Sequence, residues 1–159
     1  MTIAIYPGSF DPITNGHLDI LKSGSEIFDK VIIAVSYNMN KKGFLTVEER
    51  VNLIKKCVNT LPNVEVDSFE GLTVEYAKRK GADVLLRGLR TSFDFEYELQ
   101  LSQTNNALNK DLKTVFLITK PDFNFISSSM VREILVNNGN ISKFVPKEVE
   151  KFLLTKHGI

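Results

Sequence analysis

The sequence predicts an α/β fold, a single parallel sheet with helices on both faces, and three observations carry that expectation. Short apolar runs rich in β-branched residues alternate strictly with longer segments of helical apolar spacing. The short runs are near-continuous in apolar character, as strands covered on both faces are. The length of 159 residues fits one domain, and no repeat, low-complexity segment or linker divides it. Strict β–α alternation implies right-handed βαβ units and a doubly wound sheet. The expectation is therefore one Rossmann-like domain over 1–159, five strands in the order 3-2-1-4-5, with ligands beyond the carboxyl ends of the strands.

The elements follow in order. Thr2–Tyr6 is an apolar run that meets Pro7 and Gly8 at once, a first strand, and a helix follows over Asn15–Phe28 with Thr14 placed as its N-cap. Lys30–Ser36 gives the second strand. Val47, Val51, Ile54, Cys57, Val58 and Leu61 then recur at helical spacing, which predicts a helix over Val47–Thr60. Asn63–Ser68 and Leu72–Lys80 form the third pair. Asp83–Arg87 is the fourth strand, and its helix over Phe93–Asn109 is introduced by Thr91-x-x-Asp94, a capping box. Lys113–Thr119 and Ser129–Asn137 complete the alternation. A last helix begins at Pro146, a residue suited to the first helical position, and ends before Gly158.

Composition narrows the function classes. Hydrophobic content of 43% and charged content of 25% are ordinary for a globular chain. A net charge of +1 supplies no global field toward nucleic acid or an anionic membrane, so neither is expected as a partner and any anion site is local. The N-terminal run is unlike a signal peptide, and no apolar stretch approaches the roughly 20 residues of a membrane span. The expected location is cytoplasmic. Cys57 is alone, which leaves no disulfide framework or cysteine metal site; its place in the helical run reads as a buried structural thiol.

Topology puts three unusual strand-to-helix connections on one sheet edge. The first, Gly8 to His17, has glycines at 8 and 16 that permit close backbone approach. His17 falls in the first helical turn, where the dipole disfavours imidazolium, so a neutral ring donating to phosphate is expected. An ordinary surface histidine is the plainer alternative. This loop has no Gly-Lys-Ser/Thr ending, and the chain has no G-x-G-x-x-G, which argues against kinase-type phosphoryl transfer and NAD chemistry.

The second connection, Arg87-Gly88-Leu89-Arg90, sets two guanidiniums around a glycine at the end of Val84-Leu85-Leu86. Arg87 is expected to project into the crevice, and Gly88 to leave its backbone accessible. The third, Phe125 to Arg132, opens a helix with Ser127, Ser128 and Ser129, more hydroxyls than one N-cap needs. A further anion cradle is the functional reading, and Arg132, a cation in the first turns, either serves a bound anion or pairs with Glu133 or Asp122. Lys41 and Lys42 lie in the loop after the second strand, on the same edge.

Thr14-Asn15-Gly16-His17 together with Ile126-Ser127-Ser128-Ser129 resembles the nucleotidyltransferase superfamily, which uses an H-x-G-H loop and an I-S-S-x helix start. The fuller strings Tyr6 to His17, Arg87 to Arg90 and Asp94 to Glu98 are similar to those of the bacterial phosphopantetheine adenylyltransferase family. Thr14 stands where the wider pattern has its first histidine, leaving only His17 for the imidazole role, and Ser9 stands where many members have threonine.

The resemblance implies transfer of the adenylyl group of ATP to 4′-phosphopantetheine, giving dephospho-coenzyme A and pyrophosphate, with Mg²⁺ carried by the triphosphate rather than by a protein metal site. By that resemblance Ser9, Lys41, Thr73 and Arg87 hold phosphopantetheine. Ser9, Phe10, His17, Gly88, Leu89, Arg90, Glu98, Phe123, Asn124, Phe125, Ile126, Ser127, Ser128 and Ser129 hold ATP. His17 and Lys41 stabilise the transition state, and the protein is a homohexamer. Two alternatives stay open from the residues alone. One is a ligase of the pantothenate synthetase type working through an adenylate; the other is a non-catalytic nucleotide-binding module, which leaves His17 and Lys41 without a role.

Overall fold

In the computed structural model, which describes residues 1–158, five parallel strands are ordered β3-β2-β1-β4-β5, as the alternation predicts. They are β1 (Ile3–Gly8), β2 (Lys30–Tyr37), β3 (Val64–Glu70), β4 (Val84–Leu89) and β5 (Lys113–Ile118). The helices are α1 (Asn15–Ile27), α2 (Val47–Cys57), α3 (Thr73–Lys80), α4 (Ser92–Leu108), α5 (Ser128–Val136) and α6 (Lys147–His157).

The central strands divide their side chains between two apolar layers, as the pleat requires. Tyr6, Ile33, Val35 and Leu86 face one layer, closed by Leu21 of α1, Leu53 of α2, Val131 of α5 and Leu153 of α6. Ile5, Ile32, Ala34 and Leu85 face the other, with Val74 and Ala77 of α3. Burial on both faces explains the continuous apolar runs, each fully buried Ile or Leu contributing about 1.5–3 kcal/mol.

The boundaries differ from expectation where pairing or capping decides them. β1 runs two residues past Tyr6 because Pro7 and Gly8 align with Ala34 and Val35 of β2, and β4 runs to Leu89 because Gly88 and Leu89 align with Leu117 and Ile118. α2 stops at Cys57, and the Leu61 N–H turns back to the Val58 carbonyl. Pro146 is the N-cap of α6 rather than its first residue, with its carbonyl accepting the Glu150 N–H. Cys57 is half-buried, and burial pushes its thiol up to about 12, an inert thiol at neutral pH.

A glycine at position 24 allows the close packing of α1 on the sheet. A Cβ on Gly24 would lie 2.5 Å from Leu86 Cδ2, so any larger residue there would have to displace the Leu86 side chain or the helix.

Candidate active site

Beyond the carboxyl end of β1 the chain turns sharply at Phe10, whose φ of 45° lies in the left-handed region. Its ring compensates by burying to 2% exposure, edge-on to Tyr6 at 5.3 Å and to His17 at 5.0 Å. Strain of this kind gathers at functional loops.

Thr14 caps α1 as expected, but its reciprocal partner is histidine. The Thr14 hydroxyl accepts the His17 N–H at 3.3 Å, and His17 Nδ1 accepts the Thr14 N–H at 3.0 Å. A nitrogen that accepts carries no proton, so the neutral ring holds its proton on Nε2, leaving that N–H as a donor at the cavity His17 lines. Burial, and then the Arg90 and Arg87 charges, push its pKa down to about 4. That direction agrees with the neutral imidazole expected at this position, and burial is its first cause.

The end of β4 supplies both guanidiniums, and both are braced. Arg87 donates to Glu98 through Nε at 2.8 Å and Nη2 at 2.6 Å, and through Nη1 to the Pro7 carbonyl at 2.8 Å. It lines the cavity with three N–H groups engaged, and Glu98, only 7% exposed, spends its carboxylate on that pair. Arg90 grips Asp94 and reaches the Ile126 carbonyl at 2.9 Å, tying this connection to the serine segment. The expected capping box at Thr91 is half formed: the hydroxyl accepts the Asp94 N–H, while the Asp94 carboxylate accepts the N–H of Arg90. Gly88 has a packing reason beside its place on the cavity, since a Cβ there would lie 2.9 Å from Ile20 Cγ1 of α1.

The three serines each have a separate task. Ser127 caps α5 by accepting the Met130 N–H, Ser128 donates to the Pro12 carbonyl at 2.8 Å, and Ser129 accepts from Arg132. Ser127, Ser128 and Ile126 line the His17 cavity. Arg132 makes neither expected ion pair; its Nη1 donates to the Asp11 carbonyl at 2.6 Å, because α5 packs against the loop after β1.

A second cavity holds Lys41, Lys42 and Gly43, and Ser9 lines both. The two measure about 270 and 360 Å³, each near the lower end of the range for a small-molecule pocket, so together they suit two ligands meeting at Ser9. Thr73 lines neither cavity, and nor do Leu89, Phe123, Asn124, Phe125 or Ser129. Phe125 is exposed, edge-on to Phe144. Several lining residues escaped the sequence reading, Tyr6, Asp11 and Arg50 among them. Tyr6 lines the first cavity, and Asp11 and Arg50 line the second. The only signal for Asp11 was a charge set among apolar neighbours, Phe10, Pro12 and Ile13. Among the described residues no cluster of three or more His, Cys, Asp or Glu is arranged to hold a metal ion, and no helix is long and apolar enough to cross a membrane.

Comparison with known proteins places these features in context. The profile of the cytidylyltransferase-like family matches residues 5–134. The chain is 50% identical over 149 residues to a phosphopantetheine adenylyltransferase of Clostridium perfringens, covering 94% of this chain and 91% of that one. It is 55% identical over 147 residues to a phosphopantetheine adenylyltransferase of Crocosphaera subtropica, covering 92% and 94%. Among solved structures, the bifunctional NMN adenylyltransferase/ADP ribose pyrophosphatase of Francisella tularensis superimposes with a TM-score of 0.77 at 14% identity, over 99% of this chain and 50% of that one. At that identity the likeness speaks for the fold alone.

Proposed function

The chain belongs to the cytidylyltransferase-like family, and on that premise we propose that it transfers the adenylyl group of ATP to 4′-phosphopantetheine, giving dephospho-coenzyme A and pyrophosphate for coenzyme A biosynthesis. The observation that carries the proposal is one cavity lined by His17, whose Nδ1 accepts the Thr14 N–H, and by two braced guanidiniums, joined at Ser9 to a second cavity holding Lys41. The two relatives named above, at 50 and 55% identity, support the choice of reaction.

The chemistry asks little beyond placement and charge. The acceptor phosphate, with a second pKa of about 6, is already a nucleophile at neutral pH and needs no general base. Its oxygen bonds to the α-phosphorus of ATP, the bond from that phosphorus to the bridging oxygen breaks, and pyrophosphate leaves with the electron pair. Catalysis then rests on in-line positioning and on stabilising charge that develops at the α-phosphate. His17, donating through Nε2, and Lys41 take that second task.

Ser9, Lys41, Thr73 and Arg87 hold phosphopantetheine in this scheme. Ser9, Phe10, His17, Gly88, Leu89, Arg90, Glu98 and the stretch 123–129 hold ATP, with Glu98 contributing through Arg87. Mg²⁺ enters as counter-ion of the triphosphate, since the cavity carboxylates Asp94 and Glu98 are already engaged by arginine. Exposed apolar side chains on α4 and β5, Phe93 at 83%, Tyr97 at 65% and Ile118 at 81%, support self-association into the hexamer, which light scattering on the purified protein reads directly. A cytoplasmic location belongs to the same proposal.

The test is pyrophosphate release from ATP with parallel acceptors. 4′-phosphopantetheine should exceed nicotinamide mononucleotide in kcat/KM by at least roughly 10³, because a fitted site penalises unpaired polar groups heavily. Comparable rates, or a preference for the mononucleotide, would keep the chemistry and overturn the acceptor.

A further inference from the structure

Lys41 projects from an exposed loop, yet the proposed reaction needs its ammonium held close to the reacting phosphates. A misplacement of about 1 Å can cost on the order of 100-fold in rate. One carboxylate, that of Asp11, holds the end of the loop that follows Lys41. Asp11, 8% exposed, accepts the Phe44 N–H at 2.8 Å through Oδ2 and the Leu45 N–H at 2.8 Å through Oδ1. Charge-assisted bonds of this kind are about twice as strong as neutral ones.

The backbone around Asp11 is itself fixed from two other helices. Arg50 of α2, 7% exposed, donates to the Ser9 carbonyl at 2.9 Å, and Arg132 and Ser128 of α5 donate to the carbonyls of Asp11 and Pro12. The far end of the loop is tied at Met39, whose N–H reaches Glu70 Oε1 at 3.1 Å. Between the two ties the fit is close. A Cβ on Gly43 would lie 2.8 Å from the Leu45 carbonyl oxygen, 3.1 Å from Asp11 Oδ2 and 3.2 Å from Arg50 Nη2.

We propose that Asp11 is a positioning residue that clamps the Lys41 loop to the loop carrying Ser9, so that turnover depends on Asp11 only through Lys41. The kinetic part rests on the function proposed above; the clamp itself does not. Asp11→Asn keeps the shape, but one side-chain oxygen becomes an NH₂ facing a backbone N–H, which breaks one of the two bonds. Gly43→Ala strains the same contact from the other partner: Gly43 itself lies in an exposed loop, and its new methyl would press on the Leu45 carbonyl and the Asp11 carboxylate.

Two measurements decide the proposal. In kinetics, each variant should lower kcat about tenfold or more with KM for ATP within about twofold, and in a Lys41→Ala background each should change kcat less than about twofold further. In limited trypsin digestion mapped by mass spectrometry, each variant should be cut after Lys41 or Lys42 about tenfold faster than the wild type, at an unfolding temperature that shows the fold intact. Losses that multiply with Lys41→Ala, or an unchanged cleavage rate in Gly43→Ala, overturn the clamp. A wild type that releases no pyrophosphate with phosphopantetheine overturns the proposed function instead, and the digestion then decides the clamp alone.

Discussion

Replacing His17 with alanine tests both the tautomer and the low pKa, because it moves activity and stability in different ways. Activity should fall by about 10²–10³ in kcat, the usual loss of one donor aimed at developing charge. At neutral pH the variant also loses the reciprocal cap between Nδ1 and the Thr14 N–H and the edge contact with Phe10, together about 1–2 kcal/mol. Acid reverses the order. The fold disfavours imidazolium, holding His17 at about 4 against an ordinary 6.5, so the unfolded chain binds the proton first. Stability contributed by the neutral ring is therefore lost as pH falls through that window. At pH 4.5 the loss reaches about 2.5 kcal/mol in the wild type, and the variant, having no imidazole, escapes it. The two stability curves should cross between about pH 5 and pH 6. Urea unfolding over pH 4.5–7.5 measures the crossing, and pyrophosphate release measures kcat. A wild-type-minus-variant difference that stays constant with pH would refute the half-buried neutral ring, and near-wild-type turnover would remove His17 from catalysis.

The other perturbations separate positioning, binding and packing. Lys41→Ala should act mostly on kcat and Arg87→Ala mostly on the acceptor KM, because one sits on a loop that approaches the reacting phosphates and the other extends a rigid strand; the reverse split in steady-state kinetics would sink that division. Arg87→Ala should also destabilise by about 3–5 kcal/mol, since it leaves the Glu98 charge buried and unpaired, and an unchanged denaturation midpoint would show the pair to be unimportant for stability. Gly24→Ala should lower stability by about 1–3 kcal/mol with kcat retained, as the new methyl meets Leu86 Cδ2; a neutral thermal midpoint would mean that α1 moves aside freely.

The sheet and its order were legible because burial on both faces writes itself into sequence as continuous apolar runs, seen in Val31–Val35 and Val84–Leu86. The edge that carries the chemistry was legible for the same reason: in a parallel sheet every strand-to-helix connection falls on one side, so His17, Arg87, Lys41 and Ser127 had to converge. The caps at Thr14 and Thr91 were local enough to read, whereas which of the three serines caps α5 was not.

What the sequence by itself determined, then, was the fold, the edge and the residue types gathered there, each set by interactions between near neighbours or by a repeating pattern. Tertiary structure alone decided how those groups are spent. Glu98 lies eleven positions from Arg87, yet its carboxylate closes on that guanidinium. Arg132 reaches across 121 positions to the Asp11 carbonyl, and Asp11 reaches 33 to the N–H of Phe44. No period or spacing encodes such pairings, because a hydrogen bond between distant residues depends on where packing leaves their backbones. The same holds in part for His17, whose low pKa owes something to the Arg90 and Arg87 charges, distant in sequence, beside its burial.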